Sequence, residues 1–586
     1  MFIHVIPNRN SRPAVLLRES RRDESGKVRK QTLANLTDWP PGAVQALRDW
    51  LEKNRGGEGT PAEGKFAGFE NARECGNIKA IRLAMSRLGM AELLSSRPCR
   101  ERSLALAMIA ERLAHPATKL KSVREFRVST VGEDFGVEDA TVDGVYAAMD
   151  WLAERQERIE RKLEKRHVQS GGVVFYDLSS SSYYGENCPL AEWGYNRDGE
   201  KLKCIEYGLA VDSVGRPLSI RVYPGGTSDA ETVPDEVARL RRLGVRVILA
   251  GDRGMLTSAR IEALRKLDGV GWLSCLRHGD VRKVVRDSME SDSPLFDQRN
   301  IAEITHEDFP GERLVVCYNE VVAEESRLER NELVRKTEEA LQKVAEGLES
   351  SLALGRKAAT DLVIGRRAER AMAKWKVGKF FEVSANKGRL VWRRLDDKIA
   401  EEARYDGLWV VRTSEPADAL PAEDAVRRYK ELEKAERAFR TFKGYDLLVR
   451  PIHHRLDRRV RGHFFLCLLA QYVEWHMRKA LAPMLFDDED IEEVRRTRAP
   501  VRAAKPSEGA KRKRARASSP DDDAPVAWTT LLKELATLTR ADVLLGDDPR
   551  LHARIRRESI PTPRQAEALR LLAAPSPWWP PTGRGQ

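Results

Sequence analysis

Hydrophobic positions along this chain change their period several times, and each change marks a boundary. Residues 1–75 alternate over short stretches, predicting strands at 2–6, 14–18 and 27–32 around a turn at Ser25-Gly26, then a helix over 42–53 and a glycine-rich linker. From 77 to 167 the apolar residues recur every third or fourth position, as in IKAIRLAMSRLGMAELL and VDGVYAAMDWLAERQERIERKLEKRH. The region 76–168 is therefore expected to be helical. Within it, 130–152 has the pattern of a helix-turn-helix with Gly136 near the turn, a pattern that small helical bundles also show.

Over 169–276 the period drops to that of strands and then alternates. Strands are predicted at 173–178, 203–211 and 217–223, the last two joined by the turn Ser213-Val214-Gly215. Helices at 230–243 and 258–267 then alternate with strands at 245–250 and 270–276. That order fits an α/β fold with a mixed sheet of the ribonuclease-H type. Residues 277–405 break the pattern with a short strand near 313–322, a charged helix over 324–347 and a β-rich part at 379–393, and are read as an inserted α+β subdomain. The core resumes over 406–490 with the strand GLWVVR and two helices. Residues 491–526 are poor in apolar side chains and carry Lys511, Arg512, Lys513, Arg514 and Arg516 ahead of Asp521, Asp522 and Asp523, the composition of a disordered linker. A helical tail is expected over 527–586, with helices at 529–536 and 562–572.

At 586 residues the chain is too long for one core, and about three or four domains are expected. Lys and Arg number 102 against 90 Asp and Glu, a net charge of +12 and a pI near 9.3, which favours a polyanionic partner without identifying one. The seven cysteines are scattered and form no CxxC pair, so reduced thiols and no structural zinc are expected. Cys275 and Cys467 lie in apolar runs, as small buried hydrophobes do. The N-terminus lacks the apolar core of a secretion signal, and the most apolar run, 464–470, is far short of the roughly 20 residues a bilayer requires. A cytoplasmic protein with no membrane association is expected. The stretch GTPAEGKF superficially fits a phosphate-binding loop, but Phe66 stands where Ser or Thr is required and no apolar strand precedes it.

Two of the apolar strands end in aspartate, VVFYD at Asp177 and VRVILAGD at Asp252. Much later a basic helix, YKELEKAERAFRTFK, carries Glu436. At 3.6 residues per turn Tyr429, Leu432, Glu436, Arg440 and Lys443 fall in one stripe. Carboxylates at strand ends, where ligands of open α/β sheets gather, and another among cations suit divalent metal held against a nucleic-acid phosphate. Singly, each has an ordinary explanation: Asp177 as a cap for Ser179 or Ser180, Asp252-Arg253-Gly254 as turn chemistry, Glu436 as one acid on a solvated helix face. Only together do they point to chemistry. Tyr429 is as suited to covering the core as to gripping a phosphate. His453, His454 and His463 lack a completing ligand, so polar contacts are expected of them rather than metal. Arg455, Arg458, Arg459 and Arg461 form the densest positive patch of the folded region. With Arg253, Arg440 and Lys443 they are candidate contacts to backbone phosphates.

The stripe Tyr429, Leu432, Glu436, Lys443 resembles the Tyr-x2-Arg-x3-Glu-x6-Lys signature of a large branch of DDE insertion-sequence transposases, with Leu432 where arginine is usual. Asp177 and the Asp252-Arg253-Gly254 triplet resemble the two upstream acids of that branch. The segments GGTSD (225–229), FRTFK (439–443) and, more weakly, GKVRKQTLANL are similar as well, so that the resemblance covers roughly 170–480. It implies a ribonuclease-H-like catalytic core interrupted by a β-containing insertion, to which 277–405 corresponds. It also implies that Asp177, Asp252 and Glu436 bind two Mg²⁺ (or Mn²⁺) ions. One would activate water or a 3′-hydroxyl and the other stabilise the leaving oxygen, cutting and joining double-stranded DNA at the element's terminal inverted repeats and in its target. The role of the missing arginine is not transferred to Leu432; Arg440 or Lys443 are its candidate substitutes. A homodimer is the expected active form, because two element ends must be joined, acting on nucleoid-associated DNA in the cytoplasm. The N-terminal strands and the helical region would read the DNA. Two alternatives stay open: a transposase-derived protein that binds DNA without catalysis, and a ribonuclease-H-like nuclease without strand transfer.

Overall fold

The computed structural model describes residues 2–8, 12–22, 28–53, 66–196, 199–289, 300–444, 446–501, 505–517, 524–545 and 553–580. They divide into two compact units, Met1–Gly76 with Ala536–Pro561, and Asn77–Leu535 with Thr562–Gln586.

In the first unit, β1 (Phe2–Ile6), β2 (Ala14–Arg22) and β3 (Val28–Asn35) form an antiparallel sheet in that order, much as their alternation predicts. The helix Pro41–Lys53 starts on a proline, whose missing N–H costs nothing at a first helical position. The turn at Ser25-Gly26, the glycine-rich linker and the GTPAEGK part of the loop-like stretch lie outside the described residues. The region up to residue 75 does not end as linker, because Phe66–Glu74 is strand β4. Its partner comes from the supposed helical tail, where β16 (Thr539–Leu545) pairs antiparallel with β4 on one side and with β17 (Ala553–Glu558) on the other. Asn71 and Asp542, 471 residues apart, share a 3.1 Å hydrogen bond across this sheet. A pairing of such separation leaves no local signature of its partner, which is why the sequence reads as linker and helix there.

The second unit is built on a nine-stranded mixed sheet. Its strands are β5 (Gly172–Ser182), β6 (Glu192–Tyr195), β7 (Lys201–Val211), β8 (Pro217–Pro224), β9 (Val247–Ala250), β10 (Val270–Cys275), β11 (Ile301–Ile304), β12 (Arg313–Tyr318) and, much later, β15 (Leu408–Thr413). The order runs β11-β12-β15-β10-β9-β5-β7, with β6 and β8 both on the outer edge of β7. Only β5–β9 and β9–β10 pair in parallel.

The helices between Gly76 and His167 are as expected, but they do not form a domain of their own. Ile81, Met108, Met149 and Leu163 belong to the same buried cluster as Phe175, Tyr207 and Phe464, so this region is one layer over the sheet. Val131–Phe135 and Val142–Ala153 do flank Gly136, which closes the first helix at a φ of 65°. The second helix, however, buries Val145, Ala148, Met149 and Leu152, and its apolar face is committed to the core. The helix Asp457–Ala480 runs through that core with nearly every residue from Val460 to Met477 buried, Cys467 included.

The expected insertion is divided. β11 and β12 join the main sheet, whereas the helix Glu320–Ala353, the helix Asp361–Ala373 and the hairpin of β13 (Phe381–Asn386) and β14 (Arg389–Arg394) surround a small core of their own, with Leu341, Ile364, Phe380 and Leu390. Asn319 sets that boundary by accepting the N–H groups of Val321 and Val322 at 3.1 and 3.4 Å, a helix N-cap. The expected disorder over 491–526 is likewise corrected, because Ile491–Thr497 and Glu508–Arg516 are helices. Polar tethers hold the second helix, while Val501 is buried in the main core. Ser507 caps the second helix and donates to Asp488 at 2.6 Å, and Lys513 donates to the carbonyls of Ala482 and Asp487 at 2.6 and 2.7 Å. Asp521, Asp522 and Asp523 lie outside the described residues. No helix among the described residues is long and apolar enough to cross a membrane.

Candidate active site

Strand alternation assigns the two aspartates to one face of the sheet. Val173 and Phe175 on β5, and Ile248 and Ala250 on β9, point into the core that holds Phe439, Phe442 and Phe464; Val174, Tyr176, Val247 and Leu249 point into the core on the other face. Asp177 is the next residue of the first series. Phe175 pairs with Ala250, so continuing the parallel register by two residues brings Asp252 level with Asp177. Asp177 is not at a strand end as expected, since β5 stays paired with β7 through Ser182↔Cys204. Its neighbour β9 stops two residues earlier, at Ala250 opposite Phe175.

Each aspartate is half-buried and oriented by its own backbone. The N–H of Leu178 donates to Asp177 Oδ1 at 2.8 Å, and the N–H of Met255 donates to Asp252 Oδ1 at 2.7 Å. Ser274 donates from its hydroxyl to the Asp252 carbonyl at 3.2 Å. A Cβ on Gly254 would stand in ordinary contact with this carboxylate, 3.4 Å from Asp252 Oδ2. The turn chemistry is real for Asp252, and it aims the acid rather than replacing it.

The basic helix is two helices. Ala422–Lys430 and Glu433–Lys443 are separated by a tight turn in which Leu432 and Ala435 donate to carbonyls three residues back, at 3.1 and 3.0 Å. Tyr429 therefore leaves the stripe it was expected to share with Glu436. It packs over β10 and β15, with its ring 5.9 Å from that of Trp409, and its hydroxyl lies beside Cys275, Asp252 and Arg253. Burial first, and then Cys275 and Asp252, push its pKa above the ordinary range. Glu433–Lys443 instead covers β5 and β7, seating Phe439 and Phe442 at 5.8 and 5.9 Å from the ring of Tyr207. Glu436 is at the rim of that buried face and is exposed.

Asp177 thus lies within β5, Asp252 two residues past the end of the neighbouring β9, and Glu436 on the helix that covers β5 and β7. The fold does not close the three into a metal cage: among the described residues, no three His, Cys, Asp or Glu side chains stand close enough to hold one ion. The donors nevertheless fit a hard divalent cation, being carboxylates, of which Asp177 and Asp252 are each oriented by a backbone N–H.

A family model described as a transposase DDE domain matches residues 172–472, more than half of the chain. The chain belongs to the DDE transposases. Residues 3–61 match the N-terminal domain of IS1634 family transposases, which makes it an insertion-sequence transposase. No curated protein matches the chain. The span matched to the DDE domain opens with β5 and ends inside the helix Asp457–Ala480, so the candidate acids Asp177, Asp252 and Glu436 lie within it.

The cations of the transposase fall into two classes. Arg253, Arg440 and Arg455 are exposed and have no ion pair among the described residues, while Lys443 lies 5.8 Å from the centre of the Tyr207 ring. Arg458 and Arg459, read from the sequence as DNA contacts, instead converge on Asp150 at 3.3 and 3.8 Å, and Arg461 pairs with Asp457 at 2.6 Å. Proximity to Asp150, on a helix some three hundred residues upstream, could not be read along the sequence. Two features of the site were missed: Cys275 under Tyr429, and the exposed Arg437 next to Glu436. Arg437 lies about 100° around the helix from Glu436 and so outside the stripe.

Proposed function

We propose that Asp177, Asp252 and Glu436 are the acids with which this transposase cuts phosphodiester bonds at the ends of its element and joins the freed 3′-hydroxyl to target DNA. The strand order β8-β7-β5-β9-β10 supports a ribonuclease-H-like core, with its first three strands antiparallel and its last three parallel. The observation that carries the assignment is the parallel pairing of β5 with β9, whose register, continued two residues past Phe175↔Ala250, sets Asp252 level with Asp177 on the strand face that the helix of Glu436 covers. Two Mg²⁺ or Mn²⁺ ions held by these carboxylates would supply an activated nucleophile and stabilise the leaving oxygen. Asp177 and Asp252 form the fixed side of the site, aimed by the N–H groups of Leu178 and Met255. Glu436 is the adjustable side, on an exposed helix rim beyond a turn. Tyr429 holds the sheet end beside Asp252, and Arg253, Arg440 and Lys443 face the phosphates on either side of the cleavage point. Both element ends are brought together by a homodimer in the cytoplasm, at the nucleoid.

Purified full-length protein, a duplex carrying the terminal inverted repeat, a target plasmid and Mg²⁺ test this directly. Wild type should nick the repeat and transfer the strand, and Glu436→Gln should do neither while still binding the duplex. Cleavage by Glu436→Gln at the wild-type rate would remove the third acid from the site. Cleavage without transfer by wild type would favour a nuclease, and DNA binding without cleavage a non-catalytic descendant.

A further inference from the structure

After the helix Asp457–Ala480 the chain turns back along the outer side of the two helices that carry Tyr429 and Glu436. The helix Ile491–Thr497 and the residues just after it close a cleft of about 410 Å³ against those helices. Six cations line it: Arg427, Lys430 and Arg437 from the inner wall, and Arg495, Arg498 and Lys505 from the outer. Three acids, Glu431, Glu433 and Asp488, oppose them. Half of the cations are engaged. Arg427 pairs with Glu423 and Asp424 at 2.8 Å each, Lys430 donates to the Pro500 carbonyl at 2.6 Å, and Arg495 pairs with Glu433 and, at 3.4 Å, with Glu492. Arg437, Arg498 and Lys505 have no ion pair among the described residues, and Arg498 Nε is shut from solvent without a hydrogen-bond partner.

Positive charge confined in a partly closed space is unfavourable unless an anion shares it. Burial, reinforced by the charge of Arg498, holds the Lys430 amine below its ordinary pKa. Burial also lowers Arg495, with Arg498 again adding to the effect. The cleft also adjoins the site in sequence, for Lys430 follows Tyr429 and Arg437 follows Glu436, each about 100° further round its helix. A strand engaged by Glu436 needs only to cross the rim of that helix to enter it.

We propose that this cleft binds phosphates of the DNA backbone flanking the cleavage point, making the helix Ile491–Thr497 with Arg498 and Lys505 the second bank of the DNA channel. The proposal rests on the transposase acting on DNA through Glu436, and it assigns a role to a segment whose composition suggests disorder.

The test is the salt dependence of duplex binding by the full-length protein without divalent metal, followed by fluorescence anisotropy between 50 and 200 mM KCl. Each phosphate contact contributes about 0.9 to the slope of log Kd against log salt. Arg437→Gln/Arg498→Gln is expected to lower that slope by about 1 to 2 and to weaken binding roughly tenfold at 100 mM salt. Arg496→Gln, on the same helix but paired outward with Glu493 at 2.8 Å, is expected to leave it unchanged. Replacing part of the chloride by inorganic phosphate at equal ionic strength should weaken the wild type more than the double variant. An unchanged slope in a double variant that keeps its thermal midpoint would overturn the proposal. If that variant unfolds, Arg437→Gln alone, an exposed position, decides in the same way by its slope. Failure of the wild type to bind duplex at all would instead sink the underlying DNA-enzyme reading.

Discussion

Two basic regions flank the helices that come after β15, and they use their charge in opposite ways. At the head of the helix Asp457–Ala480, Arg458 and Arg459 share Asp150, Arg459 lies 4.3 Å from the centre of the Tyr146 ring, and Arg461 joins Asp457 to the Val222 carbonyl. In the cleft beside Glu436, Arg437, Arg498 and Lys505 have no acid partner among the described residues. The first region is the denser in sequence and mostly neutralised by the fold. The second is assembled from residues scattered between 427 and 505 and keeps its surplus. Clustering along a chain counts cations, but attraction for a polyanion depends on which of them fold beside a carboxylate.

The largest effect should separate chemistry from both regions. Asp177→Asn, Asp252→Asn or Glu436→Gln is expected to slow cleavage about a thousandfold or more, equivalent to the several kcal/mol a bound metal contributes to the transition state. Duplex affinity should remain, because neither basic region is touched. Single-turnover cleavage alongside anisotropy measures both. A variant that cuts within tenfold of wild type would expel its acid from the site.

Acid should damage the first region and spare the second. His454 sits under Arg459's partner Tyr146, with ring centres 6.0 Å apart, and burial, Lys119 and Arg112 hold its pKa down from 6.5 to about 3. Its neighbour His463, with ring centres 5.1 Å apart, is pushed the same way by burial. An unfolded histidine takes a proton below pH 6.5 and the folded His454 only near 3, so stability falls as pH falls through that window, by about 1.4 kcal/mol per unit for one such group. Glu111 opposes this. Burial raises its pKa from 4.5 to about 7, so acidification favours the folded state between those values and changes nothing below. Glu474, also raised to about 7 by burial, behaves alike. Burial likewise lowers His167 to about 2 and His476 to about 3, so the thermal midpoint should fall as pH drops below 6.5, most steeply below 4.5 where Glu111 and Glu474 no longer compensate, with a shallower drop in His454→Gln. A midpoint that holds steady below 4.5 would contradict the neutral buried histidine. No histidine stands among the described residues that line the cleft, so duplex affinity at pH 5.5 should not weaken relative to pH 7.

Disarming the first region should cost modest stability and no DNA contact. Arg458→Gln/Arg459→Gln leaves Asp150 without its partners, expected to remove about 1 kcal/mol once the exposure of Arg458 is allowed for, or about 2 °C in thermal midpoint. The salt slope of duplex binding should not move. A fall like that expected for Arg437→Gln/Arg498→Gln would return these arginines to the DNA interface.

Each feature was legible in the sequence to the extent that its causes are local. Asp177 and Asp252 stand out in the sequence because strand period and an abrupt polar residue are local, and Asp177 continues the alternation of Val173 and Phe175 along β5. The end assigned to β5 was wrong because strand length was set by β7, its partner, rather than by Asp177 itself. Glu436 was legible as an acid on a basic helix, but the turn at Glu431-Leu432 was not, since neither residue breaks helices and tertiary packing of Tyr429 and Phe439 on different strands decides it. The pairing of β4 with β16 and the tethering of the helix Glu508–Arg516 by Ser507 and Lys513 depend on partners far away or on polar contacts, which composition does not encode.

The smallest effect would sharpen the second region by adding to it. Leu432 is half-buried, packs beside Tyr429 on the core, and precedes Glu436 by one helical turn. Leu432→Arg forfeits part of that burial, about 1 kcal/mol for a half-buried leucine, although an arginine stem can lie along the same apolar surface while its head reaches water. The added guanidinium would stand on the rim of Glu436, between the acids and the cleft. Duplex binding should tighten about two- to fivefold at 100 mM salt, with the slope of log Kd against log salt rising by up to about 0.9, the increment of one phosphate. In the Arg437→Gln/Arg498→Gln background the same gain should persist, because one new contact at the rim does not need the cleft. If Leu432→Arg instead weakened binding at an unchanged thermal midpoint, the backbone would not pass over this rim. The path from the acids to the cleft would then have to leave the helix on its other side.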